Sequence, residues 1–163
     1  MTDVMTHARA SEDVDVVFQS ELPSLMRSQL EAVFFFNPNQ STWAAQISEV
    51  VGKYGVPEIW EAGGRITLNL RGNAQTQTLF IVNPRCPNLL EGIIIYSRVD
   101  FSEILVLHLA LAGPRLARVA GDPETGSGLD FLGLVTAFTK LAKSIAGVER
   151  LRFAYWDLAI PIV

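Results

Sequence analysis

Three stretches of the chain carry groups that could do chemistry. The first, Gly126-Ser127-Gly128, lies in a polar loop between an apolar strand and a long amphipathic helix. A strand that enters a helix through glycines aims several backbone N–H groups at one point, where they can hold an anion such as a pyrophosphate. The plainer role is a flexible turn in which Ser127 or Gly128 caps the helix, and the frequency of glycine pairs before helices favours it. The second is His108, in the strand before that loop; an imidazole titrates in the range that suits a general base. Strict alternation sets it beside Ile104, Val106 and Ala110, an apolar row that favours a hydrogen-bonded core histidine. Glu103 opens the same strand, where a solvated carboxylate is the favoured role. The third stretch contains Tyr155, which, like Tyr96, acts as a phenol acid only if it is aimed into a cleft. Its alternating strand makes packing the usual role.

Other reactive types are sparse. Cys86 sits between Arg85 and Pro87, and a neighbouring arginine can lower a thiol's pKa. The chain has only two histidines, His7 and His108, neither next to Cys86 in sequence, so a Cys-His nucleophile and a zinc site are both disfavoured and no metal is expected. Arg115 and Arg118 precede the glycine loop and could hold a phosphate, with a solvated pair as the safer reading. The sequence has no phosphate-loop lysine motif, dinucleotide fingerprint or Gly-x-Ser-x-Gly elbow.

These groups need a scaffold. At 163 residues the chain suits one domain, with residues 1–13 as a flexible polar tail and 14–163 as the folded unit. The formal charge of −4, with scattered basic residues, argues against nucleic acid, which needs a concentrated cationic face. No apolar run reaches the roughly 18 residues of a membrane span, and the N-terminal stretch lacks a signal peptide's apolar core. A single cysteine fits a reducing compartment, and the cytoplasm is the default expectation.

The pattern predicts a strand at 14–18, then a helix led by Pro23, with Leu22, Leu25, Met26, Leu30, Val33 and Phe34 on one face. Asn37-Pro38-Asn39 stops it. Within Phe34-Phe35-Phe36 only some rings can face inward, leaving one for a pocket or a subunit interface. A second helix, capped by Ser41 or Thr42, carries Trp43, Ile47, Val50, Val51 and Tyr54 and ends at Gly55 in a left-handed cap. An antiparallel meander follows: 59–62, a Gly63-Gly64 hairpin, 65–70, 76–82, 91–98 and 103–112. The last two runs are almost continuous Ile, Val and Leu, as in central strands covered on both faces. A helix over 129–146 with a stripe from Phe131 to Ile145 leads to a strand over 149–156, and the apolar segment 158–163 packs on its own sheet or on a neighbouring subunit. The fold class is α+β: a mixed, mostly antiparallel sheet flanked by helices.

This order of strand, two helices, meander, long helix and strand resembles the GNAT superfamily, the Gcn5-related N-acetyltransferases. The phrase Ile104-LVLHLAL-Leu111, followed by a turn and the helix 129–146, is similar to that family's central strand and cofactor-binding helix. The resemblance covers residues 14–157 and implies a V-shaped gap between the fourth and fifth strands that takes acetyl-CoA or another acyl-CoA. Carried over, the backbone of Leu109, Ala110 and Leu111 would meet pantetheine, and Gly126, Ser127 and Gly128 the pyrophosphate. Glu103, as a strand glutamate does in some members, or His108 would take the proton from the attacking amine. The implied activity is acyl transfer from acyl-CoA to an amine.

The chain departs from the family in three places. Pro123, flanked by Asp122 and Glu124, occupies the motif's Arg/Gln position, and two carboxylates repel a pyrophosphate. It ends soon after the fifth family strand, and its meander has at least one strand too many. These departures motivate the alternative expectation, a non-catalytic GNAT-like binding or interaction module, dimeric through the C-terminal segment. A third reading is a small-ligand binder using the same gap.

Overall fold

The computed structural model describes residues 16–35, 43–112, 131–155 and 158–162. The expected tail, the start of the first strand at Val14, the Asn37-Pro38-Asn39 stop, the Ser41 or Thr42 cap, Arg115, Arg118 and Gly126-Ser127-Gly128 lie outside the described residues.

A six-stranded mixed sheet organises the chain. Its strands are β1 (Val17–Gln19), β5 (Thr76–Asn83), β6 (Cys86–Asp100), β7 (Glu103–Leu111), β8 (Arg150–Phe153) and β9 (Leu158–Pro161), side by side in that order. All pairs are antiparallel except β7 with β8, which run parallel through the crossover helix α3 (Phe131–Lys143). The hydrophobic runs in β6 and β7 behave as expected of central strands: Leu89 to Ile95 and Glu103 to Ala110 are buried throughout.

The expected single meander is in fact divided between two sheets. β3 (Pro57–Ala62) and β4 (Arg65–Leu70) form the predicted hairpin, with Gly63 and Gly64 at φ 59° and 75°, as a two-residue turn with both φ positive requires. Yet β4 pairs with β2 (Leu22–Pro23), giving a three-stranded sheet in the order β2-β4-β3, while β5 takes β1 as its neighbour. The extra hairpin therefore packs as a second layer. Its inward row, Ile66, Leu68 and Leu70, is buried in the same cluster as Phe80, Ile93 and Ile95 of the main sheet.

Helix α1 (residues 24–35) is a composite of a 3-10 turn (Ser24–Met26), an α turn (Arg27–Leu30) and a π turn (Glu31–Phe35). This winding buries Met26, Leu30 and Val33 but leaves Leu25 72% exposed, removing it from the expected stripe. Of the phenylalanine run, Phe34 packs inward and Phe35 is exposed, while Phe36 lies outside the described residues. Helix α2 (Ala44–Tyr54) lies on the same face of the sheet and buries Val50. Gly55 ends it at φ 116° and ψ 162°, a region open to glycine alone rather than the expected left-handed cap. Helix α3 covers the opposite face with Leu134, Phe138 and Ala142, packed on Ile81, Ile94, Ile104, Val106 and Leu151. Among the described residues no helix is long and apolar enough to cross a membrane.

At Gly55 a Cβ would stand 2.4 Å from the Arg71 carbonyl oxygen, against backbone that cannot give way. Gly55→Ala is expected to lower unfolding stability by about 2–3 kcal/mol in urea denaturation, from the strained φ and the collision together. An unchanged midpoint would show that this junction relaxes freely.

Candidate functional site: the parting of β7 and β8

β8 pairs with β7 only from Glu103↔Arg150 to Val106↔Phe153. One more backbone bond, from Ala154 N–H to the Val106 carbonyl at 2.8 Å, closes the ladder. The chain then turns at Ala154 and Tyr155 and returns as β9, antiparallel to β8, with Arg152 opposite Ala159. This reversal ends β8 while β7 continues through Leu107, His108, Leu109, Ala110 and Leu111. The far half of β7 thus pairs with β6 on one side, while its ladder with β8 ends at Val106. Beyond Val106 the β7–β8 ladder parts into a notch among the described residues, where β8 turns back toward β9.

A bulge re-aims the side chains at this point. Ile95 faces His108 and Tyr96 faces Val106, so Leu107 is an extra residue on β7. The period of two is broken there, and His108 does not share a row with Ile104 and Val106 as alternation predicted. Those two residues face α3, whereas His108 turns to the α1 side with its ring edge-on to Phe34, the centroids 5.5 Å apart.

Tyr155 reaches into the notch. Its hydroxyl lies 2.9 Å from His108 Nδ1 and accepts a hydrogen bond from the Leu109 backbone N–H. The arrangement that satisfies all three groups has Tyr155 accepting from Leu109 and donating to Nδ1, so the neutral ring carries its hydrogen on Nε2. Nε2 is buried and has no hydrogen-bond partner among the described residues. Trp43 stacks on the other side of Tyr155, with centroids 5.9 Å apart and planes 20° from parallel. Burial lowers the His108 pKa to about 4 and raises that of the Tyr155 phenol, the latter slightly opposed by the Leu109 N–H. Both groups are therefore neutral at pH 7.

Glu103 is not the solvated edge carboxylate that its position suggested. It is 5% exposed, and its Oε1 lies 3.2 Å from Arg150 Nε and 2.5 Å from Arg152 Nε on the neighbouring strand. Five residues of strand put it roughly 15 Å from His108, so the two proposed proton acceptors do not share a site. Leu109 and Ala110 have buried side chains, so their backbone is what they can offer to a ligand. Tyr96 donates to Gln77 at 2.8 Å and packs on Phe138, away from the notch. Cys86 opens β6, and its N–H donates to Asn83 Oδ1 at 3.2 Å. No cluster of potential metal ligands occurs among the described residues.

Sequence reasoning missed a buried polar pair and a cleft. Asn83 donates to Glu91 at 2.8 Å, and desolvation raises the Glu91 pKa. Its signal was a carboxylate inside the apolar run Leu89 to Ile95, which demands a partner. The cleft, about 340 Å³, opens between α2 and β8 on the α2 side of Tyr155. Its walls come from segments far apart in sequence, so no local pattern marks it. Comparison with known family models, characterised proteins and solved structures finds no match to this chain.

The His108 shift fixes a pH dependence. Its folded pKa, about 4, lies below the ordinary 6.5, so the unfolded chain binds the extra proton between those values. His108 therefore adds stability above about pH 6.5 that is lost as pH falls toward 4, roughly 3 kcal/mol in all. Glu91, shifted upward, acts in the opposite sense, so the imidazole must be followed directly. Carbon-13 or nitrogen-15 NMR of the ring should show it neutral at pH 5.5, and a midpoint near 6.5 would contradict the burial described.

Proposed function

We propose that this chain is a GNAT-like, acyl-CoA-dependent N-acyltransferase that holds the acyl thioester in the notch between β7 and β8. The single observation that carries this reading is the Leu109 amide, aimed into a gap between parallel strands and met there by a side-chain hydroxyl instead of a backbone partner. Support also comes from the strand order and from the crossover helix lying on the face opposite α1 and α2. The residues fit the donor in one respect that matters. A thioester carbonyl needs a fixed N–H that gains strength as negative charge develops on its oxygen, and an amide in a dry sheet supplies one without reorganisation.

The Leu109 amide would receive the carbonyl oxygen with the Tyr155 hydroxyl moved aside. When bound, acetyl-CoA or another acyl-CoA would supply the acyl carbon, its bond to sulfur breaking as its bond to the amine nitrogen forms and the net proton passing from nitrogen to sulfur. His108 is the neutral base near this point. Burial, which holds its pKa at about 4, makes it a weak base at pH 7, so it would act as one only as the site opens to the ligand. Glu103, held by two arginines at the other end of β7, anchors β8 to β7.

A second reading, a non-catalytic binding module, is favoured by the same hydroxyl if it never leaves Leu109. Pro123 with its flanking acids points the same way. Calorimetry separates the two. Acetyl-CoA should bind, and Tyr155→Phe should bind it about fivefold more tightly, because one hydrogen bond of about 1 kcal/mol no longer competes for the amide. Absence of heat with both proteins at millimolar acetyl-CoA would remove the acyl-transfer reading.

A further inference from the structure

The cleft between α2 and β8 has a composition that selects a ligand class. Val50 and Leu105 lie beneath it, both buried, most of its accessible lining is polar, and the buried Tyr155 forms part of the wall toward the notch. Its rim carries both signs of charge: Glu49 and Lys53, one turn apart on α2, and Arg152 across the cleft on β8. Arg152 turns its Nε to Glu103, and its planar fork retains further N–H donors for an anion. No ion pair joins Lys53 to Glu49 or to any other carboxylate among the described residues; Lys53 Nζ lies over the Tyr54 ring, 5.4 Å from its centroid. A volume of about 340 Å³ stands at the small end of ligand pockets.

We infer that this cleft binds an α-amino acid as its zwitterion, its carboxylate between Lys53 and Arg152 and its ammonium toward Glu49. An anion alone would leave Glu49 as a repulsive neighbour, and an amine alone would face two cations. A zwitterion meets both. Tyr155 forms a boundary shared by the cleft and the notch, since its ring lines the one and its hydroxyl sits on the Leu109 amide in the other. The amino acid's role as the acyl acceptor rests on the acyl-transfer reading; its binding does not.

The test is a nitrogen-15 NMR titration of the whole chain with L-phenylalanine, with 2-phenylethylamine, which lacks the carboxylate, and with 3-phenylpropanoate, which lacks the amine. L-phenylalanine should shift the amides of Val50, Lys53 and Tyr155, and each analogue should bind at least about tenfold more weakly, the expected loss of one charge-assisted contact. Lys53→Ala, at an exposed helix position that leaves the fold intact, should weaken L-phenylalanine by a similar factor and leave 2-phenylethylamine unchanged. Equal binding of the three probes, shifts confined to other parts of the sheet, or indifference to Lys53→Ala would overturn the assignment. A parallel titration with acetyl-CoA keeps the two readings apart. Acetyl-CoA binding without L-phenylalanine binding overturns the cleft assignment and leaves acyl transfer standing. L-phenylalanine binding without acetyl-CoA binding upholds the cleft and removes its role as acceptor site.

Discussion

The candidate site depends on where a parallel ladder stops. β7 and β8 are joined from Glu103 to Val106, and beyond that point the chain of β8 reverses into β9. Buried backbone groups must find partners, because an unpaired donor away from water costs about 1–3 kcal/mol. The Leu109 N–H finds the Tyr155 hydroxyl. A side chain does here what a strand does elsewhere in the sheet. The distinction matters because a hydroxyl on a rotatable side chain can be displaced by a ligand, whereas a strand cannot be removed without unfolding the sheet.

Around that point the two layers have different tasks. On one face α3 seats Leu134, Phe138 and Ala142 against Ile94, Ile104 and Val106, fixing the crossover that makes β7 and β8 parallel. On the other, α1 and α2 surround the notch with Phe34 against His108 and Trp43 against Tyr155. The aromatic setting is dry, which is why the histidine is neutral well below its usual range and the phenol resists ionisation. Glu103, paired with Arg150 and Arg152, joins β7 to β8 at the closed end of the pair.

Much of this was legible in the sequence, for identifiable reasons. The runs Leu89 to Ile95 and Glu103 to Ala110 read as central strands because apolar residues fill both faces, and both faces are covered. The stripe Leu134, Phe138, Ala142 had helical spacing, and the Gly63-Gly64 turn has the backbone that its residue types require. What could not be read depended on partners rather than on periods. Alternation gives the two faces of β4 but not whether β2 or β5 lies beside it. A bulge at Leu107 adds a residue without any change in composition, and it reversed the face assigned to His108. Glu103 looked solvated because Arg150 and Arg152 arrive from a strand far along the chain. The apolar segment after Leu158 raised the question of a second subunit, and its own β8 answers part of that demand. The glycine loop, on which the family resemblance leans for pyrophosphate, lies outside the described residues, so the proposal stands on the notch and not on that loop.

The most direct measurement is the amide resonance of Leu109 in protein labelled with nitrogen-15 at leucine, followed as acetyl-CoA is added. The account predicts a saturable shift at Leu109, with smaller ones at Leu107 and Leu111 and little change at Leu134 in the α3 layer. A Leu109 resonance that stays fixed while acetyl-CoA binds elsewhere, or while it fails to bind at all, would contradict the claim that this amide is held in reserve for a ligand.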